Sequence, residues 1–400
     1  MRVLSVFGTR PEAIKMAPVV LELAQQKGVV SKICVTGQHR EMLDQVMATF
    51  AITADHDLAI MQPDQTLSGI FARVLTGLDP LLSEFRPDFL LVQGDTASST
   101  AAALAAFFRG IPVGHVEAGL RTGNLHSPWP EEANRRATAI VTTRHYAPTE
   151  RARIALLREG YPADSVIVSG NTVIDALLHV VRVVTAPGAV RQRLDRKFSW
   201  LDPQKRMVLV TGHRRESFGA GFIRICDALG EMARRSDIEV VYPVHLNPNV
   251  RKPVFERLSG LRNIRLIEAL DYREFVYLMV RSHLILTDSG GVQEEAPSLR
   301  KPVLVMRDTS ERIEAIEAGV ARLVGTDPAA IVAAVDELLD DSKAYALMTR
   351  GANPFGDGHA SERIVRDLMK CQQQSKPSRW SDLDTSDFRP RLPLPHAALT

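Results

Sequence analysis

The polar residues of this chain gather directly after its apolar runs. At 284–287 the run LILT leads into Asp288-Ser289-Gly290-Gly291, and Val292 onward reads as a helix. A strand, a tight glycine turn and a helix N-terminus make an anion site, because free backbone N–H groups point outward and the helix dipole favours negative charge. Ser289, Gly290 and Gly291 are its candidate contacts. Glu294 and Glu295 fall in the opening turn, where one of them could accept from sugar hydroxyls. The plainer alternative is an ordinary α/β turn capped by Ser289 or Asp288.

The arrangement recurs. After 3–7 come Gly8-Thr9-Arg10-Pro11-Glu12 and then Lys15. Pro11 suits the first position of a helix, and Arg10 and Lys15 stand where a phosphate would be gripped. GTRPEA has one glycine where GxGxxG needs three, which argues against a dinucleotide site. The strand at 89–92 runs into Gln93-Gly94-Asp95-Thr96, and the strand at 113–116 runs into Glu117. Asp95 can be read as an N-cap of the alanine-rich helix that follows. Glu117 has no such role, and a carboxylate directly after a buried strand needs a partner or a task. In SPWPEEANRR, Pro130 marks a helix start with Glu131 in its opening turn. Glu131 and Arg135 are spaced i,i+4 and can pair on one helix face. His213 and His245 each follow a strand, at 207–211 and 239–243. Either is a proton-transfer or phosphate-donor candidate, or a plain structural histidine. Together these residues describe one cleft with phosphate donors, three carboxylates and a histidine, which suits a nucleotide sugar on which a proton is moved.

The elements that must position them alternate along the chain. Strand-like runs at 3–7, 32–36, 89–92, 113–116, 145–147 and 166–168 are followed by a second series at 207–211, 239–243, 264–267, 284–287, 303–306 and 322–324, mostly with helical stretches between. These βαβ units imply parallel sheets covered by helices on both faces. The segment 171–203 carries no good strand and is the natural boundary. The expected fold class is α/β, with two doubly wound Rossmann-like domains facing a central cleft. The first covers 1–171 and the second, which binds the nucleotide, 172–358. A C-terminal helix at 359–371 packs back on the first, and 372–400 forms a flexible tail of changed, proline-rich composition. Ligands collect beyond the C-terminal ends of strands in such sheets.

Four hundred residues suit two domains, and 45% hydrophobic residues supply two cores. A net charge of +2 argues against a nucleic-acid surface made by bulk charge. The apolar runs are strand-length, so no membrane span is expected, and MRVLSVFGTRPEA enters a strand without a signal-peptide core. Cys34, Cys226 and Cys371 are far apart and lack metal spacing. They read as reduced thiols of a cytoplasmic protein, with Cys34 and Cys226 as core filler. No metal or cofactor is expected.

The motifs FGTRPEAIKMAP, TGQHREMLDQ, GDT, PVGHVEAGLRT, SPWPEEANR, GNTVIDAL, TGHRRESFG, YPVHLNPNV, LTDSGGVQEEAPSL and KPVLVMRDTSER, in this order, resemble the non-hydrolysing UDP-N-acetylglucosamine 2-epimerases over about residues 1–370. The resemblance implies the two-domain, glycosyltransferase-B-like fold and the interconversion of UDP-N-acetylglucosamine and UDP-N-acetylmannosamine for bacterial cell-surface polysaccharide. It also implies a homodimer. The family's route is elimination of UDP across C1–C2 to 2-acetamidoglucal, then re-addition with the proton returned to the opposite face. That route needs proton-transfer groups on two faces and strong stabilisation of the leaving diphosphate. By resemblance Asp95, Glu117 and Glu131 are the acid/base carboxylates, without a face assigned to each. Arg10, Lys15, His213, Ser289 and Gly290 match the diphosphate contacts. Glu295 matches the ribose-binding carboxylate, Arg135 and Arg312 further active-site cations, and Phe275 the uracil-side residue, while Leu270 stands where some members have glutamine. Bacterial members are commonly activated by a second UDP-N-acetylglucosamine beside the catalytic site. Gln38, His39, Arg40 and His245 resemble its lining, with Glu41 and Asp64 in place of glutamine and arginine. A glycosyltransferase of the same fold, a hydrolysing relative and a sugar-nucleotide sensor without catalysis are the alternatives. The three carboxylates count against the last.

Overall fold

The computed structural model describes residues 1–37, 40–62 and 65–374, apart from the side chains of 40–42 and 373–374. The expected activator contacts Gln38, His39 and Arg40, the departures at Glu41 and Asp64, and the tail beyond 374 therefore lie outside the described residues or side chains. Among the described residues thirteen strands build two sheets. The first contains β1 (Arg2–Phe7), β2 (Val30–Val35), β3 (His56–Asp57), β4 (Phe89–Gln93), β5 (Val113–Val116), β6 (Arg144–Ala147) and β7 (Val166–Val168). Their order is β3-β2-β1-β4-β5-β6-β7. The second contains β8 (Arg206–Thr211), β9 (Ile238–Pro243), β10 (Ile264–Ile267), β11 (Leu284–Thr287), β12 (Val303–Val305) and β13 (Ala321–Leu323), in the order β10-β9-β8-β11-β12-β13. All pairings are parallel, with Ser5 opposite Leu91 in the first sheet and Thr287 opposite Thr211 in the second.

Parallel strands covered on both faces read as continuous apolar runs. FLLVQ of β4 and LILT of β11 are buried at every position. The periodic pattern missed only β3, whose two residues pair with Cys34 and Val35 at the sheet edge and are too short to show alternation. Strand order reverses at β1 in one sheet and β8 in the other, and a crevice opens there beyond the strand ends.

One apolar cluster joins the two halves. It runs from Val3 and Phe7 through Ile174 and Leu177 to Leu209 and Ile285. The helix Thr172–Thr185 supplies its middle and follows directly on Asn171, whose side chain accepts the Val173 N–H as the N-cap. The last helix, Ala360–Gln374, runs on past Gln372, where the tail was expected to begin. Its Asp367 accepts from Arg144 Nε at 2.9 Å and from the Tyr146 hydroxyl at 3.0 Å, which fastens it to β6. Cys34 and Cys226 are buried, and burial pushes their thiols up to about 12 and about 11. Among the described residues no single helix is long and apolar enough to cross a membrane.

Candidate active site

Glu117 follows β5 with φ +63°, in the left-handed region. Two residues on, Gly119 has φ +91°, and a Cβ there would lie 2.4 Å from the carbonyl oxygen of Ala152, so a side chain has no room. This strained turn directs the Glu117 carboxylate inward, where its side chain is 6% exposed. Lys15 Nζ lies 2.6 Å from both of its oxygens. Gln93, the last residue of β4, donates to Oε2, and Asn171 Nδ2 donates to Oε1 at 3.4 Å.

Glu294 faces this cluster from the other sheet, with its side chain 3% exposed. Arg312 Nε donates to Oε1 at 2.8 Å, Asn171 Nδ2 donates to Oε2 at 3.2 Å, and Lys15 Nζ stands 3.8 Å away. Two carboxylates are thus matched by two cations, as buried charges require. Burial pushes the Glu117 carboxyl above its ordinary range; Lys15 opposes this and Glu294 adds to it. For Glu294 burial acts in the same sense, but Lys15 and Arg312 outweigh it and hold the group below the ordinary range. For Lys15 burial disfavours the charge, and Glu117 and then Glu294 outweigh it, so the ammonium is held more firmly than usual. Of the two carboxylates, Glu117 is the one poised to take up a proton.

Asp95 is no helix cap. Thr96 caps the helix Ala97–Phe108, accepting the Ser99 N–H at 3.0 Å. Asp95 Oδ2 instead accepts from Arg135 Nε at 2.9 Å and its terminal nitrogen at 2.7 Å. The expected Glu131–Arg135 pair does not form. Arg135 turns to Asp95 and, at 3.2 Å, to Glu132. The spacing allows a local pair, but Asp95 at the mouth of β4 and the buried Glu132 compete better. Burial acts against the charge on Glu132, yet the Thr122 N–H, Arg135 and the Gly123 N–H hold it below its usual range. Glu131, on the first turn of the helix Glu131–Ile140, keeps a buried Oε2 without a hydrogen-bond partner. An unpartnered buried acceptor carries a standing cost, and a substrate could relieve it.

Arg10 opens the helix Arg10–Gln25, half-buried, with Pro11 as its second residue. Buried Glu12 accepts the N–H groups of Gly8 at 2.9 Å and Thr9 at 2.7 Å and the Thr96 hydroxyl at 2.7 Å, which ties the β1 turn to the β4 turn. Lys15, expected as a phosphate donor, has its ammonium on Glu117. On the second sheet the fully buried Asp288 accepts the N–H groups of His213 at 2.7 Å and Arg214 at 2.8 Å. His213 Nδ1 lies 3.5 Å from Asp288 Oδ1, and the ring stacks on exposed His245 at 5.4 Å. Burial lowers the His213 pKa and His245 adds to this, while Asp288 opposes it, so the ring is neutral near pH 7.

The helix Gly290–Glu295 begins at Gly290, earlier than the expected Val292. Glu294 and Glu295 therefore lie in its second turn, one helix position apart, and point to different partners. Ser289 is the N-cap residue, and its side chain makes no capping bond. A Cβ on Gly290 would meet Arg312 Cζ at 3.0 Å, so the glycine lets the guanidinium close over the turn. Gly291 follows, partly buried. Glu295 Oε1 accepts from the buried Tyr272 hydroxyl at 2.5 Å. Phe275 and Leu270 pack, partly buried, at the edge of the shared core.

Burial raises Glu295 to about 7, Glu294 adds to the rise, and the Tyr272 hydrogen bond opposes it. A carboxyl raised from 4.5 favours the fold below its unfolded pKa and loses that contribution as pH climbs through 7. Glu295→Gln is therefore expected to stabilise the ligand-free protein by on the order of 3 kcal/mol at pH 8 and about 1 kcal/mol at pH 5. Thermal melts at the two pH values check this, and a gain that does not grow with pH contradicts it.

Asn171, Glu294 in its inward role, Gln93, Asp288 and Tyr272 were not singled out from sequence. Gln93 and Asp288 stand at strand ends and carried the same signal as Asp95. Asn171 follows the strand 166–168 by the same three residues and carried that signal too, while Tyr272 reaches the site from a helix start and had none. A cavity of about 1060 Å³ opens elsewhere, among Thr149, Arg300, Arg350, Asn353 and Arg363, and none of the groups above lines it. Between the sheets Lys15 pairs with Glu117 and Arg312 with Glu294.

The family model described as UDP-N-acetylglucosamine 2-epimerase matches residues 21–369. The chain is 59% identical over 374 residues to the UDP-N-acetylglucosamine 2-epimerase of Yersinia pestis, covering 93% of this chain and 99% of that one. It is 57% identical to the Escherichia coli (strain K12) protein of the same name, over 92% of this chain and 98% of that one. The crystal structure of the Neisseria meningitidis UDP-GlcNAc 2-epimerase, bound to UDP-GlcNAc, superposes with a TM-score of 0.86 at 50% identity. It covers 92% of this chain and 100% of that one. With this coverage, and with the clustered carboxylates between two doubly wound sheets, the chain belongs to the UDP-N-acetylglucosamine 2-epimerase family.

Proposed function

We propose that the chain interconverts UDP-N-acetylglucosamine and UDP-N-acetylmannosamine by eliminating UDP and adding it back. The observation that carries this is the buried Glu117 carboxylate, held by Lys15 and raised in pKa, across the cleft from the Asp288–His213 and Ser289–Gly290 turns. The C2 proton of the sugar is not beside a carbonyl, so direct abstraction gives no stabilised carbanion. Elimination avoids this. The C2–H proton passes to a carboxylate, its electron pair forms the C1=C2 bond of 2-acetamidoglucal, and the C1–O bond breaks to release UDP. Re-addition of UDP at C1 with a proton delivered to the other face of C2 gives the epimer.

Asp95, Glu117 and Glu131 supply the proton-transfer groups. Arg10, Lys15, His213 and the turn Ser289-Gly290-Gly291 stabilise the diphosphate, and Arg135 and Arg312 are further cations of the site. Glu295 accepts from the ribose hydroxyls, and Phe275 lies on the uracil side. The first half of the chain, 1–171, carries the carboxylates; 172–358 carries the nucleotide; 359–371 returns to the first half. A second UDP-sugar would reach His245, stacked on His213, together with residues 38–40, and act as activator. A homodimer working in the cytoplasm on a precursor of cell-surface polysaccharide completes this reading.

Proton NMR of UDP-N-acetylglucosamine with the protein alone in heavy water tests it. The expected result is UDP-N-acetylmannosamine with deuterium at C2 and no need for an acceptor. An epimer that keeps its C2 proton would replace elimination by an internal hydride route. Unreacted substrate would favour the glycosyltransferase, and free sugar with UDP a hydrolase.

A further inference from the structure

We infer that Asn171 is a positioning residue that ties Glu117 to Glu294 across the two sheets, and so holds the proton-transfer carboxylate through the half that binds the nucleotide. The inference rests on the elimination reading above. One side-chain amide has two hydrogens, and here it has two acceptors: Glu117 Oε1 at 3.4 Å and Glu294 Oε2 at 3.2 Å. Both neighbours accept only, and Oδ1 takes the Val173 N–H at 3.0 Å, so the orientation of the amide follows from its partners. The backbone is fixed as well. The Asn171 N–H donates to the Phe355 carbonyl at 2.7 Å, and the residue opens the helix that carries the shared core. Asn171 is 2% exposed, and its neutral amide adds no charge between two carboxylates already matched by Lys15 and Arg312.

The chain of contacts has a direction. Ser289, Gly290 and Gly291 begin the helix that carries Glu294. Arg312 leans on that helix start and bonds Glu294, and Glu294 shares Lys15 and Asn171 with Glu117. A nucleotide on the glycine turn is thereby linked to the acid/base group through Arg312 and Glu294 and then through Lys15 and Asn171. The charged groups that face Glu117 are Lys15, Glu294, Asp95 and Arg312. Without the neutral donor between the carboxylates, Lys15 is the group they still share, while Gln93 keeps its bond to Glu117 and Arg312 its bond to Glu294.

Two variants test this. Asn171→Ser keeps a capping oxygen but has one hydrogen for two carboxylates. Asn171→Asp keeps the cap and the shape and sets a third carboxylate against the other two. Small displacements of a reacting group cost up to about a hundredfold. Asn171→Ser is expected to lower kcat about tenfold with KM within about twofold, and to slow deuterium entry at C2 equally. Asn171→Asp is expected to lower kcat about a hundredfold and to move the acid limb of the kcat pH profile up by about one unit. A merely structural role would lower the melting temperature and leave kcat and the profile of the folded fraction unchanged, and that result overturns the inference. Glu117→Gln run alongside separates the two levels. If it is inactive while both Asn171 variants behave as wild type, only the inference falls. If it turns over normally, the role of Glu117 falls and this inference with it.

Discussion

Glu117→Gln is expected to lose about three orders of magnitude in turnover while UDP binds as before. General acid–base catalysis by one placed group is worth roughly a hundredfold to ten-thousandfold, and glutamine removes the proton-transfer function without changing the shape. The strained turn, with its φ of +63° at position 117, is set by the backbone and survives the change. Lys15 keeps Glu294 within 3.8 Å. Of the proposed nucleotide contacts, His213 and the turn Ser289-Gly290-Gly291 belong to the second sheet, away from the substituted side chain. Turnover followed by NMR and UDP binding followed by calorimetry check the two halves of the claim. Turnover within tenfold of wild type would remove Glu117 from the chemistry, and a parallel loss of UDP binding would make it a binding group.

Lys15→Met is expected to destabilise the protein by about 3–5 kcal/mol and to reduce turnover more than a hundredfold. Lys15 is the one ammonium bonded to both oxygens of Glu117, and methionine fills its volume without its charge. Glu117 would then face Glu294 with only the amides of Gln93 and Asn171 as donors. Burial already raises the Glu117 carboxyl, and losing the cation raises it further. A carboxyl whose folded pKa exceeds its unfolded value stabilises the fold at low pH and loses that contribution as pH rises through the folded pKa. The variant should therefore lose more stability at pH 8 than at pH 5. Denaturant unfolding at both values measures this, and an equal loss at both would show that the ammonium charge is not what the carboxylate depends on.

The strands were legible because burial on both faces leaves a mark within a few residues. LILT, FLLVQ and VGHV are such runs, and the turn after each showed which polar groups stand at a strand mouth. Asp95, Glu117, His213 and Ser289 were found this way. β3 was not, because two residues carry no period. The choice between Glu294 and Glu295 was left open by their adjacency. In the folded chain Glu294 meets Arg312 and Asn171, and Glu295 meets Tyr272, because neighbouring helix residues point about 100° apart.

Local pattern along the chain thus decided the fold class, the two series of strands and the candidates at their ends, since a backbone must bury its apolar residues at the period of its own geometry. Partnership was decided only on folding. Lys15 and Glu117 are 102 residues apart, and Asn171 and Glu294 are 123 apart. Arg135 passed over Glu131, four positions away, for Asp95, which is 40 residues away in sequence. A buried charge takes the nearest counter-charge that dehydration leaves available, and which one is nearest depends on how two sheets meet, a distance that neither composition nor spacing contains.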